Sequence, residues 1–445
     1  MFSAEKELKE WKDVLEHKNC DPIEDPYRKA VTAKLLGNTH TVLQEEKQEL
    51  FEADTQQTTS VQNYDPVLIS IIRRTTPSLL AFDVASVQPM TGPTGLIFAM
   101  KARYADNGSQ GTLDTNYNLG ANNLGTEALF NEADSSFAGQ GAHGGDTSSL
   151  PVSGSVGSTP ATGFDVGRPQ STNDGEKLGT AANPFGQMGF TLERTSVEAK
   201  TRGLRAEYTQ EMAHDLRKIH NQDADAELAN ILQTEILSEV NREMIRTINV
   251  KAKLGAQTAS NPGVFDLDTD SDGRHMVEKF KGLIFQLDVD ANKIATETRR
   301  GKGNHIICSS NVASAMAATG YLDNTPAVSG GMSVEPNGNL FAGTIMNRIK
   351  VFIDPFAGVD YATVIYRGSN PYDAGLFYAP YVPLQMMRAT DNDTFQPIIG
   401  FKTRYGLKAH PFVQGAVNDD GLGDNRANYY FRIFRVDNIA STLSP

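Results

Sequence analysis

The chain has 445 residues, a net charge of −13, 39% hydrophobic and 21% charged residues, 39 glycines and 20 prolines. That length holds two or three packed domains or one extended subunit, and the glycines and prolines imply many turns. An acidic balance argues against a chain that wraps nucleic acid with clustered lysine and arginine, and no run approaches the ~20 apolar residues of a membrane helix.

The first 52 residues are rich in lysine and glutamate and hold the single tryptophan, Trp11. Ala4, Leu8, Trp11 and Leu15 recur at i, i+4, i+7 and i+11, which predicts an amphipathic helix broken by Pro22 and Pro26. A second helix is expected from about Tyr27 to Phe51, with Gly37 as a weak point. The opening MFSAEKELKEWKDVLEHK is too charged for a secretory signal. This segment reads as an independent arm that docks on something else, and the polar residues 53 to 68 as a flexible lead.

Arg73 to Tyr104, RRTTPSLLAFDVASVQPMTGPTGLIFAMKARY, predicts an extended arm carrying Pro77, Leu79, Leu80, Phe82, Val84 and Val87 into a tight turn. Pro89 and Pro93 fix φ there, Gly92 and Gly95 permit positive φ, and a strand of Leu96 to Met100 follows. Residues 105 to 186 are the loosest part, with NGSQG, FAGQGAHGG and PVSGSVGSTPATG. A loop of that length is functional or disordered. Its flanks, LIFAMKARY and MGFTLERTSVEAK, predict two sides of a long hairpin with an insertion at its tip.

RGLRAEYTQEMAHDLRKIH predicts a helix, and a longer one follows, capped by Asp223 or Asp225 and closed by Gly255. Leu228, Ile231, Leu232, Ile236, Val240, Met244 and Ile248 mark one face of it. From Pro262 the pattern is mixed α/β. HIICSS, NRIKVFIDP, YATVIYRG, LFYAPYVPLQMM, PIIGFKTRYGLKAH and NYYFRIFRV read as strands, and NVASAMAATG as a short helix.

Few residues offer chemistry. DLDTDSDG places Asp268, Asp270, Asp272 and Gly273 at the first, third, fifth and sixth positions of a calcium loop, but the twelfth is Lys279 and Glu278 is one residue early. A solvated acidic turn before a helix at Met276 is the better reading. Arg299, Arg300 and Lys302 in TRRGKGNH lack the strand and Ser/Thr of a phosphate loop, and read as a solvated turn or intersubunit ion-pair donors. Cys20 and Cys308 fit no metal or redox spacing, and Cys308 reads as a buried small hydrophobe in a reducing compartment. No nucleophile, base and oxyanion donors converge, so no catalytic, cofactor or metal residue is assigned and the chain is read as not an enzyme.

VQPMTGPTGLIFAMKARY, MGFTLERTSVEAKTRGLRAEYTQEMAHDLRKIH, DADAELANILQTEILSEVNREMIRTIN, YDAGLFYAPYVPL and FQPIIGFKTRYG, in that order, resemble the major capsid proteins of T-even-like tailed phages. The likeness runs from about residue 61 onward and is nearest in flavour to cyanophage members. It implies an α+β Hong Kong 97-type capsid fold. On that plan residues 1–52 are a helical propeptide, 53–95 an N-terminal arm, and 96–190 an extended loop with its Gly/Ser-rich insertion at about 105–186. Residues 191–262 and 381–445 form a peripheral domain with a long spine helix, and 263–380 an axial domain.

The implied function is a head-shell subunit in hexameric capsomers enclosing DNA without sequence-specific binding, located in the virion and assembled in the host cytoplasm. Vertex protein, scaffold, head-maturation protease, portal and decoration proteins are the implied partners; no cofactor and no membrane are. Leu50-Phe51-Glu52 before Ala53 resembles the family's protease site, cut after Glu52, although Leu8-Lys9-Glu10 and Leu43-Gln44-Glu45 match more loosely. The alternatives are a pentameric vertex paralogue and a surface module whose insertion binds glycan.

Overall fold

A computed structural model describes residues 5–16, 23, 25–52, 79–104, 128–129, 133, 135–140, 167–180, 185–186, 188–257, 259–271, 275–323, 340–370, 372–391, 393–411, 413 and 421–439, with side chains left undescribed at a few of these positions, 42–52 among them. Arg73 to Pro77 of the expected arm, the lead at 53–68, Cys20 and most of the insertion lie outside the described residues. The chain divides into two compact units, Met1–Ile97 with Thr195–Pro445, and Phe98–Arg194.

The first unit begins with α1 (Glu5–Glu10) and α2 (Lys12–Leu15), separated by a non-helical Trp11. The predicted amphipathic stripe is real but interrupted: Leu8, Trp11 and Leu15 pack with Ala33, Leu36 and Met386. α3 (Pro26–Glu52) starts where the sequence placed a break. Pro26 suits a first turn because its missing N–H is not needed there, and Asp25 Oδ1 accepts the Tyr27 N–H at 2.9 Å. Gly37 does not weaken the helix into two; a Cβ there would meet only Glu7 Cγ at 3.5 Å.

The expected extended arm is different from Leu79 onward. Ala81–Val84 form a helical turn, α4, and Ser86–Val87 a short strand, β1. Leu79, Leu80, Phe82, Val84 and Val87 are all buried, so contiguous apolar residues point to a segment enclosed on every side rather than to an extended one. The Leu80 N–H reaches Asn241 Oδ1 at 3.2 Å. Neither Gly92 nor Gly95 takes positive φ. Gly95 is instead a close-approach glycine, because a Cβ there would lie 3.0 Å from Met90 Sδ.

β2 (Thr94–Tyr104) pairs with β3 (Met188–Glu198) in a two-stranded ribbon, with the turn α5 (Thr172–Glu176) between them in sequence. In the second unit Tyr104 packs on Phe137 at 4.5 Å between ring centroids, and Gln140 bridges Arg168. Ser171 caps α5 through the Asp174 N–H.

β4 (Lys200–Glu207) occupies the front half of what was expected to be a helix; only α6 (Gln210–Ile219) is helical. Alternation in the β4 residues pairs them antiparallel with β13. α7 (Ala224–Lys251) is the long helix, at 1.5 Å per residue about 42 Å. Asp223 is its N-cap residue without a side-chain cap bond, and it ends at Lys251, not Gly255. Its buried face holds Leu232, Ile236, Val240, Met244 and Ile248, whereas Ile231 is 61% exposed. β5 (Ala252–Leu254) and β6 (Val264–Asp266) follow, then α8 (Met276–Thr298), β7 (His305–Ser309) and α9 (Ser310–Ala318). The remaining strands are β8 (Leu322–Asp323), β9 (Leu340–Ile345), β10 (Ile349–Asp354), β11 (Tyr361–Ile365), β12 (Leu376–Thr390), β13 (Pro397–Ala409) and β14 (Asn428–Asp437).

Two sheets organise the first unit. One runs β1-β12-β13-β4; the other runs β5-β14-β11-β7-β10-β9-β8, with β6 also on β14. Their strands, α4, α7, α8 and α9 share one apolar core. β14 joins the larger sheet, between β5 and β11, so the strand partners separate it from β12 and β13, with which residues 381–445 were grouped. Its Arg432 is fully buried and held by Glu297 Oε1 at 2.6 Å and the Leu254 carbonyl at 3.2 Å. The pair supplies the compensation that a buried guanidinium needs.

Candidate functional site

Among the described residues of the second unit, the ribbon exposes several large apolar side chains. Successive side chains of a strand point to opposite faces. On β2, Ala99 is buried while Phe98 and Met100 are 46% and 64% exposed. On β3, Met188, Phe190 and Leu192 are 53%, 69% and 61% exposed. At every second position along each strand, these five large apolar side chains are therefore open to solvent. A patch of that kind marks a site covered in an assembly. The strands are legible in the sequence but this face is not, because Ile97 and Ala99 make LIFAM a continuous apolar run. The signal was the spacing of Phe98 and Met100 against Met188, Phe190 and Leu192.

A second outward face lies on α6 in the first unit. Thr209 Oγ1 caps it by accepting the Met212 N–H at 3.3 Å. No residue of α6 is buried, and Met212 and Ile219 are 54% and 73% exposed.

The N-terminal helix is not free of the body. Tyr27 donates its hydroxyl to the Val87 carbonyl, and burial pushes that hydroxyl up to a pKa of about 12. Arg28 pairs with Asp83 at 2.9 Å and lies 5.3 Å above the Phe82 ring. Val31 and Leu35 belong to the main core. Asn38 donates its amide to the Met90 carbonyl at 2.8 Å and the Tyr381 carbonyl at 3.0 Å. The expectation of an arm that docks elsewhere is corrected for residues 27–38, which dock on their own subunit. Of the proposed cleavage residues, Leu50 and Glu52 fall in the last turn of α3, with Glu52 its final residue; their side chains and Ala53 lie outside the described residues.

The other motifs are absorbed into local structure. Asp270 accepts the Ser260 and Asp266 N–H groups at 2.9 and 3.0 Å, and Asp268 pairs with Lys279 at 2.6 Å. The residue at the twelfth loop position is thus an ion-pair partner of the first, and Asp272 and Gly273 lie outside the described residues. Among the described residues no group of three or more His, Cys, Asp or Glu could hold a metal. In TRRGKGNH, Arg299 adopts the left-handed cap of α8, Arg300 approaches Asp373 at 3.7 Å, and Lys302 binds Asp288. Arg300 and Lys302 therefore have partners within the subunit. Cys308 is fully buried, and burial pushes its thiol far up, the opposite of a reactive cysteine. No described helix is long and apolar enough to cross a membrane.

The family described as major capsid protein Gp23 matches residues 61–436. The major capsid protein of Salmonella phage ViI is 40% identical, over 96% of this chain and 97% of that protein. That of Enterobacteria phage T4 is 35% identical, over 80% of this chain and 77% of that protein. The T4 capsid vertex protein is more distant, 25% identical over 53% of this chain and 56% of its own. Among solved structures, the Mycobacterium phage Bobi chain is 9% identical with a TM-score of 0.39, covering 87% of this chain and 98% of that one.

Proposed function

The chain belongs to the major capsid protein Gp23 family, the structural subunits of T4-like phage head shells, and we propose that it tiles that shell as hexameric capsomers whose N-terminal segment is removed by cleavage after Glu52. Its place is the virion capsid, and its role is structural rather than enzymatic. The observation that carries the assembly reading is the outward apolar face of Phe98, Met100, Met188, Phe190 and Leu192. Nothing among the described residues covers it, and covering it in a neighbour would bury apolar area across an interface.

On this reading the ribbon is the extended loop, the part with β12, β13 and α7 is the peripheral domain, and α8 and α9 with the larger sheet belong to the axial domain. Glu52 as the last residue of α3 supports cleavage there, since a helix end is where a protease gains extended backbone. Vertex protein, scaffold, maturation protease, portal and decoration proteins are the partners, and assembly proceeds in the host cytoplasm. The net charge of −13 suits a wall that encloses DNA without gripping it. The hexameric role is favoured over the vertex role because the major capsid relatives match more closely and over more of the chain.

The test is the intact mass of the chain in the fast-sedimenting fraction of a native lysate. A mass for Ala53 to Pro445 is expected. Full-length chain in that fraction would keep the shell and remove the cleavage step. Absence from the heavy fraction would count against a shell role.

A further inference from the structure

Among the described residues, the contacts that seat α3 lie well before the proposed cut. Tyr27, Arg28, Val31, Leu35 and Asn38 make them, and Asn38 is 14 residues from Glu52, about 21 Å along a helix. Leu35 meets a groove formed by Leu79, Phe82, Val240, Tyr378 and Leu384, drawn from α4 and the residues just before it, α7 and β12. Every one of those five is buried while α3 is in place.

The groove also has polar anchors spaced for this helix. The β12–β13 register shifts between Pro380 and Val382, which leaves Tyr381 out of the ladder. A bulge frees its residue's backbone groups from strand pairing. Asn38 supplies a donor to that carbonyl and, with the same amide nitrogen, to the Met90 carbonyl at the approach to β2. One turn from the other end, Arg28 answers Asp83 and Tyr27 answers the Val87 carbonyl. Donors at both ends and apolar residues between them are the pattern of a helix bound in a groove.

We propose that residues 26–41 are a helical ligand of the body, so that cutting the Glu52–Ala53 bond leaves α3 seated and its departure is a separate, later step that uncovers the groove. This rests on the cleavage reading above. Hydrolysis of that peptide bond consumes one water and yields a Glu52 carboxylate and an Ala53 amine, and neither product touches a contact named here.

Trp11 makes the step observable. It is the chain's one tryptophan, and it packs against Ala33 and Leu36 on α3. A recognition sequence for a site-specific protease is inserted between Glu52 and Ala53 of the full chain, and folded subunits are cut in solution. Fragment 1–52 is expected to co-elute with the body in size exclusion, with Trp11 fluorescence anisotropy unchanged by the cut. Leu35→Ala is expected to speed release at least about thirty-fold, as a buried leucine truncation does. Asn38→Ala, which removes only the two donated bonds, is expected to speed it several-fold and guards against a folding defect in the first variant. Immediate release of the wild-type fragment, or release rates indifferent to both substitutions, would overturn the proposal. The inserted site is cut whatever the native protease does. Failure here is therefore separate from failure of the cleavage reading, which the mass of particle-borne chain decides.

Discussion

Replacing Phe98 and Phe190 together with serine tests the assembly face directly. Their rings are 46% and 69% exposed, so folding alone has not buried them. Burying a phenylalanine fully is worth ~1.5–3 kcal/mol, and what remains exposed on the two rings is worth about 2–3 kcal/mol per subunit contact if a neighbour covers it. That corresponds to a rise of roughly 30- to 150-fold in the dissociation constant of each contact. The isolated subunit should scarcely notice, because substitutions at exposed positions usually shift stability by under ~0.5 kcal/mol. Two measurements are needed together. Urea unfolding of dilute subunits is expected to keep its midpoint, while the concentration at which shells sediment rises by more than an order of magnitude. Assembly at the wild-type concentration would refute the assignment of this face. A fallen midpoint would show that the rings support the subunit's own fold instead.

Acid should weaken the subunit through His305. Its Nδ1–H donates to Asn304 Oδ1 at 2.7 Å, and burial holds its pKa at about 4 against an ordinary 6.5. The unfolded chain takes up a proton near pH 6.5 and the folded chain only near 4, so stability is lost as pH falls across that window, by up to about 3 kcal/mol. His305→Phe should flatten the pH profile of unfolding there, and an unchanged slope would assign the acid sensitivity elsewhere. Two glycines should behave oppositely: an added Cβ at Gly406 lies 2.4 Å from Val197 Cγ1 and 2.8 Å from the Glu198 carbonyl, whereas at Gly95 it meets only the flexible Met90 side chain. Gly406→Ala is expected to destabilise by about 3 kcal/mol and Gly95→Ala by under about 1 kcal/mol in denaturant titrations, and equal losses would refute the distinction. Millimolar calcium or a chelator should leave the melting temperature unchanged, because Lys279 already neutralises Asp268; a calcium-dependent rise would restore the loop as a binding site.

Sequence periodicity was most informative where one element has one environment. His305–Ser309 is buried throughout and ends at Ser309, whose hydroxyl caps α9, so an apolar run followed by a capping residue marked both elements. It was least informative where tertiary partners decide. Arg202 to Glu207 has residues suited to a helix, yet β13 offers an open edge and Arg202 gains Glu239 and Glu243 at 2.6 Å by lying in a strand. The run from Leu79 to Val87 gave no hint of a helical turn because its burial comes from α3, α7 and β12, all remote in sequence. The ribbon's outward face was legible only in part. Strand alternation was present, but alternation alone does not say which of the two faces meets solvent. The tie between Asn38 and the Tyr381 carbonyl spans 343 residues and leaves no local signature.

The position of β14 has a consequence for synthesis. It is inserted between β5 and β11, and β11 in turn holds β7. The link from β5 and β6 to the rest of the larger sheet therefore waits for residues 428–437. At about 5–20 residues per second, the strands up to Ile365 spend roughly 3–13 s on the ribosome before their partner emerges. During that interval the ribbon and the α4 and α7 parts of the α3 groove are already synthesised, but the subunit lacks Arg432 and the strand that joins β5 to β11. A chain truncated before Asn428 should accordingly be digested by protease across β7, β10 and β11, and resistance there would show that the sheet closes without its last strand. Synthesis of β14 thus acts as a timer on shell building, because only subunits that carry it join β5 and β6 to the rest of the sheet.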